Sequence, residues 1–244
     1  MRISNFNLKM REKGFTLIEL IMALAIGLVI MAAVYASVNM AQRSSTSVTR
    51  KVTTQQDVRA VLDIMAMEIR MASFNPNPQP LSTWDTIPTL ATNANCPDVV
   101  RPCPGQTSPP SCRDYKGIQV AEANRMHISM DLNGNGSIGD VSNEHILYTY
   151  NAANNAIYRN VSCGGNQSIL GGSEDSETKV INDSSTPLFE YFDRDGNPTT
   201  SIPNIRRIRI NIIAQTKVKD MLTGKVRVIS YTTDVLVKNH VLSL

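Results

Sequence analysis

Glu19 is the only charged residue in an apolar run of 24 residues from Phe15 to Val38. A carboxylate is costly in a hydrocarbon environment and persists there when it pairs with a cation or serves a function. Glu19 therefore calls for a cation brought to it. A second set of oxygen ligands stands at Asp131-Leu132-Asn133-Gly134-Asn135-Gly136-Ser137-Ile138-Gly139-Asp140. Oxygen side chains at positions 1, 3 and 5, glycine at 6 and an apolar residue at 8 imitate an EF-hand calcium loop. Ser142 occupies position 12 in place of the bidentate glutamate, which leaves Asp140 and Glu144 as substitutes. Calcium, in a structural role, is thus the one candidate cofactor, with Asp131, Asn133, Asn135, Ser137, Asp140 and Glu144 as candidate ligands. The competing reading is a polar hairpin loop whose Asn and Gly residues supply positive φ angles.

Other chemistry finds little support. His127, His145 and His240 are the only histidines, and none lies in an H-E-x-x-H spacing. No G-x-S-x-G, Walker loop or G-x-G-x-x-G occurs, so no catalytic role is expected. Arg206, Arg207 and Arg209 form the only dense basic cluster, and no stacking aromatics accompany it as a nucleic-acid surface would require. Cys96, Cys103, Cys112 and Cys163 contain no C-x-x-C pair, which argues against zinc and leaves them as disulfide candidates. Local pairing among the first three would tie down a proline-rich loop and leave one to reach Cys163.

Charge distribution carries a topology signal. The chain has 24 basic and 21 acidic residues; Arg2, Lys9, Arg11 and Lys13 against Glu12 precede Phe15, leaving 20 of each beyond it. Positive charge held on the cytoplasmic side of a membrane helix accounts for the basic balance, and no nucleic-acid partner is expected. The apolar run exceeds the ~7–15 residues of a signal-peptide core and is long enough to span a bilayer.

The elements that must position these residues follow from periodicity. Residues 1–14 read as a leader, 15–38 as a membrane half-helix and 39–74 as its amphipathic continuation. Val48, Val52, Val58, Leu62, Met65 and Ile69 form the expected buried stripe. Gly27 and Ser44-Ser45-Thr46-Ser47 are its soft points, and Asn75-Pro76-Asn77-Pro78 ends it. Residues 75–117 read as a Pro- and Cys-rich loop anchored by Trp84 and Asp98-Val99-Val100. Residues 118–244 read as an antiparallel sheet domain. Its expected strands are Met126–Met130 paired with Ile146–Tyr150, Ala156–Arg159, Leu188–Phe192, a strand around Ile208–Ile212, and Lys225–Val237. Cys163–Thr178 reads as loop and Asp193–Asn197 as a turn. The fold class is α+β, a long N-terminal helix laid on an antiparallel β-sheet with one buried and one wetter face.

Gly14-Phe15-Thr16-Leu17-Ile18-Glu19 before this run resembles the processing site of type IV pilins and of the pseudopilins of type II secretion. The resemblance implies that a prepilin peptidase cuts after Gly14 and methylates Phe15. It also implies that Glu19 meets the amino group of a neighbouring subunit's Phe15 in the filament. The membrane half carries no proline, a departure from major pilins that fits a minor pilin or pseudopilin. The D-x-N-x-N-G loop, Phe189-Glu190-Tyr191-Phe192-Asp193 and the C-terminal strands ending near Lys238-Asn239 resemble minor pilins of the PilW type. The implied protein is a non-catalytic, single-pass inner-membrane subunit with its domain in the periplasm. Its implied partners are the peptidase and other minor and major pilins, with which it primes or caps a filament. A J-like minor pseudopilin of type II secretion is the alternative within the superfamily. A membrane-tethered periplasmic ligand-binding protein is the alternative of another class.

Overall fold

A computed structural model describes residues 14–76, 116–136, 143–174, 176–220 and 223–240. Trp84, Asp98-Val99-Val100 and most of the 75–117 segment lie outside the described residues. The chain divides into two units, Met1–Ser47 and Val48–Leu244. One helix, α1 (Leu17–Arg70), runs without interruption from the first into the second. Neither expected soft point breaks it. Ser37 Oγ donates to the Ala33 carbonyl at 2.9 Å and Thr46 Oγ1 to the Gln42 carbonyl at 2.9 Å. These hydroxyls bond back onto the helix rather than competing with it.

In the second unit α1 buries Thr54, Val58, Val61, Leu62, Met65, Ala66 and Ile69. Val58, Leu62, Met65 and Ile69 match the expected stripe, whereas Val48 and Val52 are 59% and 42% exposed. The reason is angular: six positions separate Val52 from Val58, about 240° around a helix turning ~100° per residue. Thr54, one turn before Val58, takes the inward place and bonds Thr178 Oγ1 at 3.3 Å. Each fully buried apolar side chain of this stripe contributes roughly 2 kcal/mol by removal from water.

The helix meets two antiparallel sheets where the sequence suggested one. The first is β1 (Ile118–Glu122), β2 (Arg125–Ser129), β3 (His145–Asn151), β4 (Ala156–Val161) and β5 (Asn166–Gly171), in that order. The second has β6 (Thr178–Val180) and β7 (Phe189–Phe192) on one side of β8 (Arg207–Thr216), with β9 (Val228–Leu236) on the other. β1, β5 and β6 are strands the sequence reading left out. β5 corrects the loop expected over Cys163–Thr178: its first three residues are exposed, so no alternation marks it. A single cluster of buried side chains joins α1 to both sheets, with Met126, Ile128, Ile146 and Tyr148 from the first and Ile208, Ile210, Ile212 and Val235 from the second.

Alternation of wet and dry faces holds on β9 and fails in the first sheet, where His127, Ser129, His145 and Asn160 are also buried. The turns behave as their residues require. Asn151 Oδ1 accepts Ala153 N at 2.9 Å and Asn154 N at 3.2 Å, and Asn155 takes φ 52° to close β3 onto β4. Asp193 Oδ1 accepts Asp195 N at 2.9 Å and Asn197 N at 2.8 Å around Gly196 at φ 87°.

The end of α1 is fastened tightly. Ser73, at φ 63°, accepts Gly117 N on its Oγ at 3.0 Å. His240 Nε2 donates to the Ile202 carbonyl at 2.8 Å, so its Nδ1 accepts from Ser73 Oγ at 3.0 Å. Burial, chiefly, lowers the His240 pKa to about 4. This C-terminal contact and Gly117 hold the helix exit where β1 begins.

Candidate functional site: the N-terminal segment and the Asp131 loop

Thr16 and Glu19 form a reciprocal pair at the start of α1. Thr16 Oγ1 accepts the Glu19 amide at 3.3 Å, and Glu19 Oε2 accepts the Thr16 amide at 2.9 Å and the Thr16 hydroxyl at 3.0 Å. This is a capping box, in which two otherwise orphaned backbone donors are satisfied by each other's side chains. A carboxylate at this end of the helix also faces the positive end of the macrodipole. Glu19 thus has a local role that sequence reasoning missed, although the T-x-x-E spacing before an apolar run signals it. Its carboxylate still has lone pairs for an incoming cation.

Around this cap no described residue of the unit is buried. Phe15 is 90% exposed, Leu17 77%, Ile18 63% and Leu20 64%. The helix is long and apolar enough to cross a membrane, and none of its most apolar stretch is buried by the chain itself. Such a face demands lipid or other helices. A Cβ added to Gly14 would meet nothing within 4 Å. Folding therefore places no steric demand for glycine there.

The Asp131 loop is built differently from a bare ligand cage. Asp131 is fully buried; its Oδ1 accepts Gly134 N at 2.7 Å and its Oδ2 accepts Gly136 N at 2.9 Å. Glu144, also fully buried, accepts Leu132 N on Oε1 at 3.0 Å, and Asn133 Oδ1 accepts Asn135 N at 3.0 Å. Gly134 and Gly136 take φ 73° and 80°, the left-handed values expected of that spacing. Asp131 N donates to the Phe74 carbonyl at 2.9 Å, which seats the loop on the helix exit. The described part is a turn whose carboxylates are engaged by backbone amides. Ser137 and Asp140 lie outside the described residues. Among the described residues no three His, Cys, Asp or Glu side chains gather as they would around a metal ion.

Cys163 is buried at 4% exposure and disulfide-bonded. Cys96, Cys103 and Cys112 lie outside the described residues. Of the arginines, Arg206 sits before β8, where its Nη1 donates to the carbonyls of Pro203 at 2.8 Å and Ile205 at 2.7 Å. Arg207 and Arg209 share the outer face of β8, each over the Phe192 ring at 4.0 and 5.1 Å from the centroid. Both bind Asp234 across the strand pair, at 2.6 and 2.8 Å. Asp234, with Glu190 at 3.9 Å from Arg209, thus balances Arg207 and Arg209, while Arg206 is held by carbonyls.

Residues 9–35 match the family model described as the prokaryotic N-terminal methylation motif. No curated protein and no solved structure matches the chain. An N-methylation motif on a membrane-capable helix that continues into a β domain supports the type IV pilin-like or pseudopilin class. The same motif implies processing by a prepilin peptidase and pilin-like partners, and the apolar helix fits inner-membrane anchoring with the rest of the chain outside the membrane.

Proposed function

We propose that the chain is a minor pilin of a type IV pilus, cut after Gly14, methylated on Phe15, and used to prime or cap the filament. The observation that carries this reading is the methylation motif over residues 9–35, at the head of an α1 whose first half is exposed on every side. Gly14 free of any steric demand supports a glycine kept for a processing enzyme. The membrane half without proline supports a minor rather than a major subunit. The disulfide at Cys163 supports a domain in the periplasm, since such bonds persist in oxidising compartments.

Function on this reading lies in assembly and not in catalysis. Glu19, held at the helix start by Thr16, presents its carboxylate to the methylated amine of a neighbouring subunit's Phe15. That pairing offsets the cost of a charge in hydrocarbon and sets the stagger between helices. Intact mass of the chain from membranes tests the reading: a chain beginning at N-methyl-Phe15 is expected, and an uncut Met1 rejects it. Twitching lost from a deletion strain supports the pilus; secretion lost with twitching intact supports a minor pseudopilin of type II secretion instead.

A further inference from the structure

The ladder between β8 and β9 fixes which way each amide of β9 points. Thr216 N donates to the Arg227 carbonyl and Val237 N to the Arg206 carbonyl, and the register between them is unshifted. In an antiparallel pair the hydrogen-bonded residues alternate. Ile229, Tyr231, Thr233 and Val235 therefore turn their N–H and C=O groups to β8. Val228, Ser230, Thr232, Asp234 and Leu236 turn theirs outward, and β9 pairs with β8 alone among the described residues. The side chains of those same five residues are exposed, Val228 at 57% and Leu236 at 56%.

An edge of this kind is ordinarily blunted by proline, a bulge, an inward charge or a covering loop. Across the sheet β7 is covered in this way, by the Asp193–Asn197 turn and a bridge from Phe192 to Pro198. β9 has no proline and no bulge, and its one charge, Asp234, is already bound by Arg207 and Arg209.

The ends of β9 differ from its middle. Lys225 and Arg227 precede it, both exposed, and Arg227 Nη2 is paired with Asp220 Oδ2 at 3.3 Å, which leaves Lys225 as the cation at that end. Beyond Leu236 lies a cavity of about 420 Å³ lined by Arg70, Asp234, Leu236, Lys238 and Asn239. Asn239 Nδ2 donates to the Arg70 carbonyl at 3.3 Å, tying the cavity to the end of α1. Neither Arg70 nor Lys238 forms an ion pair among the described residues. A strand of nine residues whose one charge is already balanced thus has Lys225 before it and Arg70 and Lys238 beyond it.

We propose that the outer edge of β9 docks an extended segment of another protein, neutral over about nine residues (roughly 30 Å of strand) and acidic at both ends. Main-chain bonds to the five outward residues supply register-tolerant affinity, and the flanking cations select the partner's charge. A second copy of this chain fits poorly. Antiparallel pairing of two β9 strands about Thr232 sets Lys225 opposite Asn239 of the other copy, beside its Lys238, and so stacks like charges at both ends. This inference goes beyond the assignment as a minor pilin and stands on the sheet of the second unit alone.

The test uses the full-length chain in detergent and two labelled probe peptides. Each has a core of nine alternating Thr and Val residues, flanked by two Asp at each end in one and two Lys in the other. Fluorescence anisotropy is expected to show the acidic-ended peptide binding at least tenfold more tightly. Hydrogen exchange is expected to show Ser230, Thr232 and Asp234 amides open in the free protein and protected by that peptide. Ser230→Pro, which deletes one outward amide, should weaken binding at least tenfold. The pair Arg70→Glu and Lys238→Glu, which leaves the backbone untouched and inverts the charge at one end only, should cancel the preference that the unaltered chain shows between the peptides. Equal binding of both peptides, binding of neither, or edge amides already protected in the free chain would overturn the proposal. So would concentration-dependent dimerisation that protects the same amides.

Discussion

Glu68 on α1 and Arg159 on β4, 91 positions apart in the chain, form a two-point ion pair: Nη2 to Oε1 at 2.6 Å and Nε to Oε2 at 3.1 Å. Their side chains are 13% and 18% exposed, so water screens the pair little. The Tyr148 hydroxyl donates to the same carboxylate, and its pKa is raised by burial first and by the Glu68 charge second. Helix and sheet are therefore joined by a polar bolt beside the apolar core. Removing one partner leaves the other charge half-buried and alone. Glu68→Gln is expected to destabilise the fold by about 3 kcal/mol. The double variant with Arg159→Met should recover part of that loss. Denaturant melts of the four proteins in the cycle check it, and additive losses would deny the coupling.

The first sheet buries two imidazoles whose ring centroids are 5.6 Å apart. The His127 pKa is lowered to about 3, by burial first, then by the charges of His145 and Arg125. Unfolded, it returns to about 6.5. Between those values the unfolded chain binds the proton that the folded chain refuses, so stability falls as pH falls. The loss is up to about 1.4 kcal/mol per pH unit for each such histidine. His240, lowered to about 4, adds a second proton over the upper part of that window. Melting temperature should be level above pH 7 and decline from pH 6 downward. His127→Phe should lessen the slope by about one proton; an unchanged slope would show that His127 is already charged in the fold.

Two glycines separate folding from processing. A Cβ at Gly117 would lie 2.1 Å from the Ser129 carbonyl oxygen and 2.2 Å from Ser73 N, both backbone atoms that cannot swing aside. Gly117→Ala is expected to cost about 3 kcal/mol through forced backbone movement. A Cβ at Gly14 meets nothing within 4 Å. Gly14→Ala should leave the melt unchanged while preventing cleavage of the leader. Immunoblots for the cut chain alongside thermal melts read both effects; a Gly14→Ala chain that is cut normally would sever the glycine from processing.

How far these features could be read beforehand varied with their cause. The apolar run and strands such as Ile208–Ile212 are written in local periodicity, and the structure agrees with them. β5 was hidden because Asn166, Gln167 and Ser168 are exposed, and only the ladder to β4 makes them a strand. Division into two sheets was equally hidden, since a period of two says which face is dry but not which neighbour pairs. Thr54 replaced Val52 because position around the helix outweighed hydrophobicity. In the Asp131 loop the glycine positions were legible. The bonds from Gly134 and Gly136 to a single buried carboxylate were not, because the same spacing serves a cation or a turn.

The role of Glu19 can be divided by chemistry. One carboxylate accepts the Thr16 amide within its own helix, and on the proposed function it also pairs with an amine from a neighbour. Glutamine at the same place keeps the acceptor that a capping box needs and loses the charge. Alanine loses both. If the contact between subunits depends on charge, Glu19→Gln should fail to enter filaments as completely as Glu19→Ala, while both are cleaved normally. If the cap alone matters, glutamine should restore incorporation that alanine abolishes. Quantifying the chain in sheared filaments against its level in membranes separates the two. Aspartate supplies a third point, since it keeps the charge but draws it back by one methylene from the helix rim. Partial incorporation of Glu19→Asp with none of Glu19→Gln would establish that the charge acts at a distance set by the side chain, as an intersubunit pair requires.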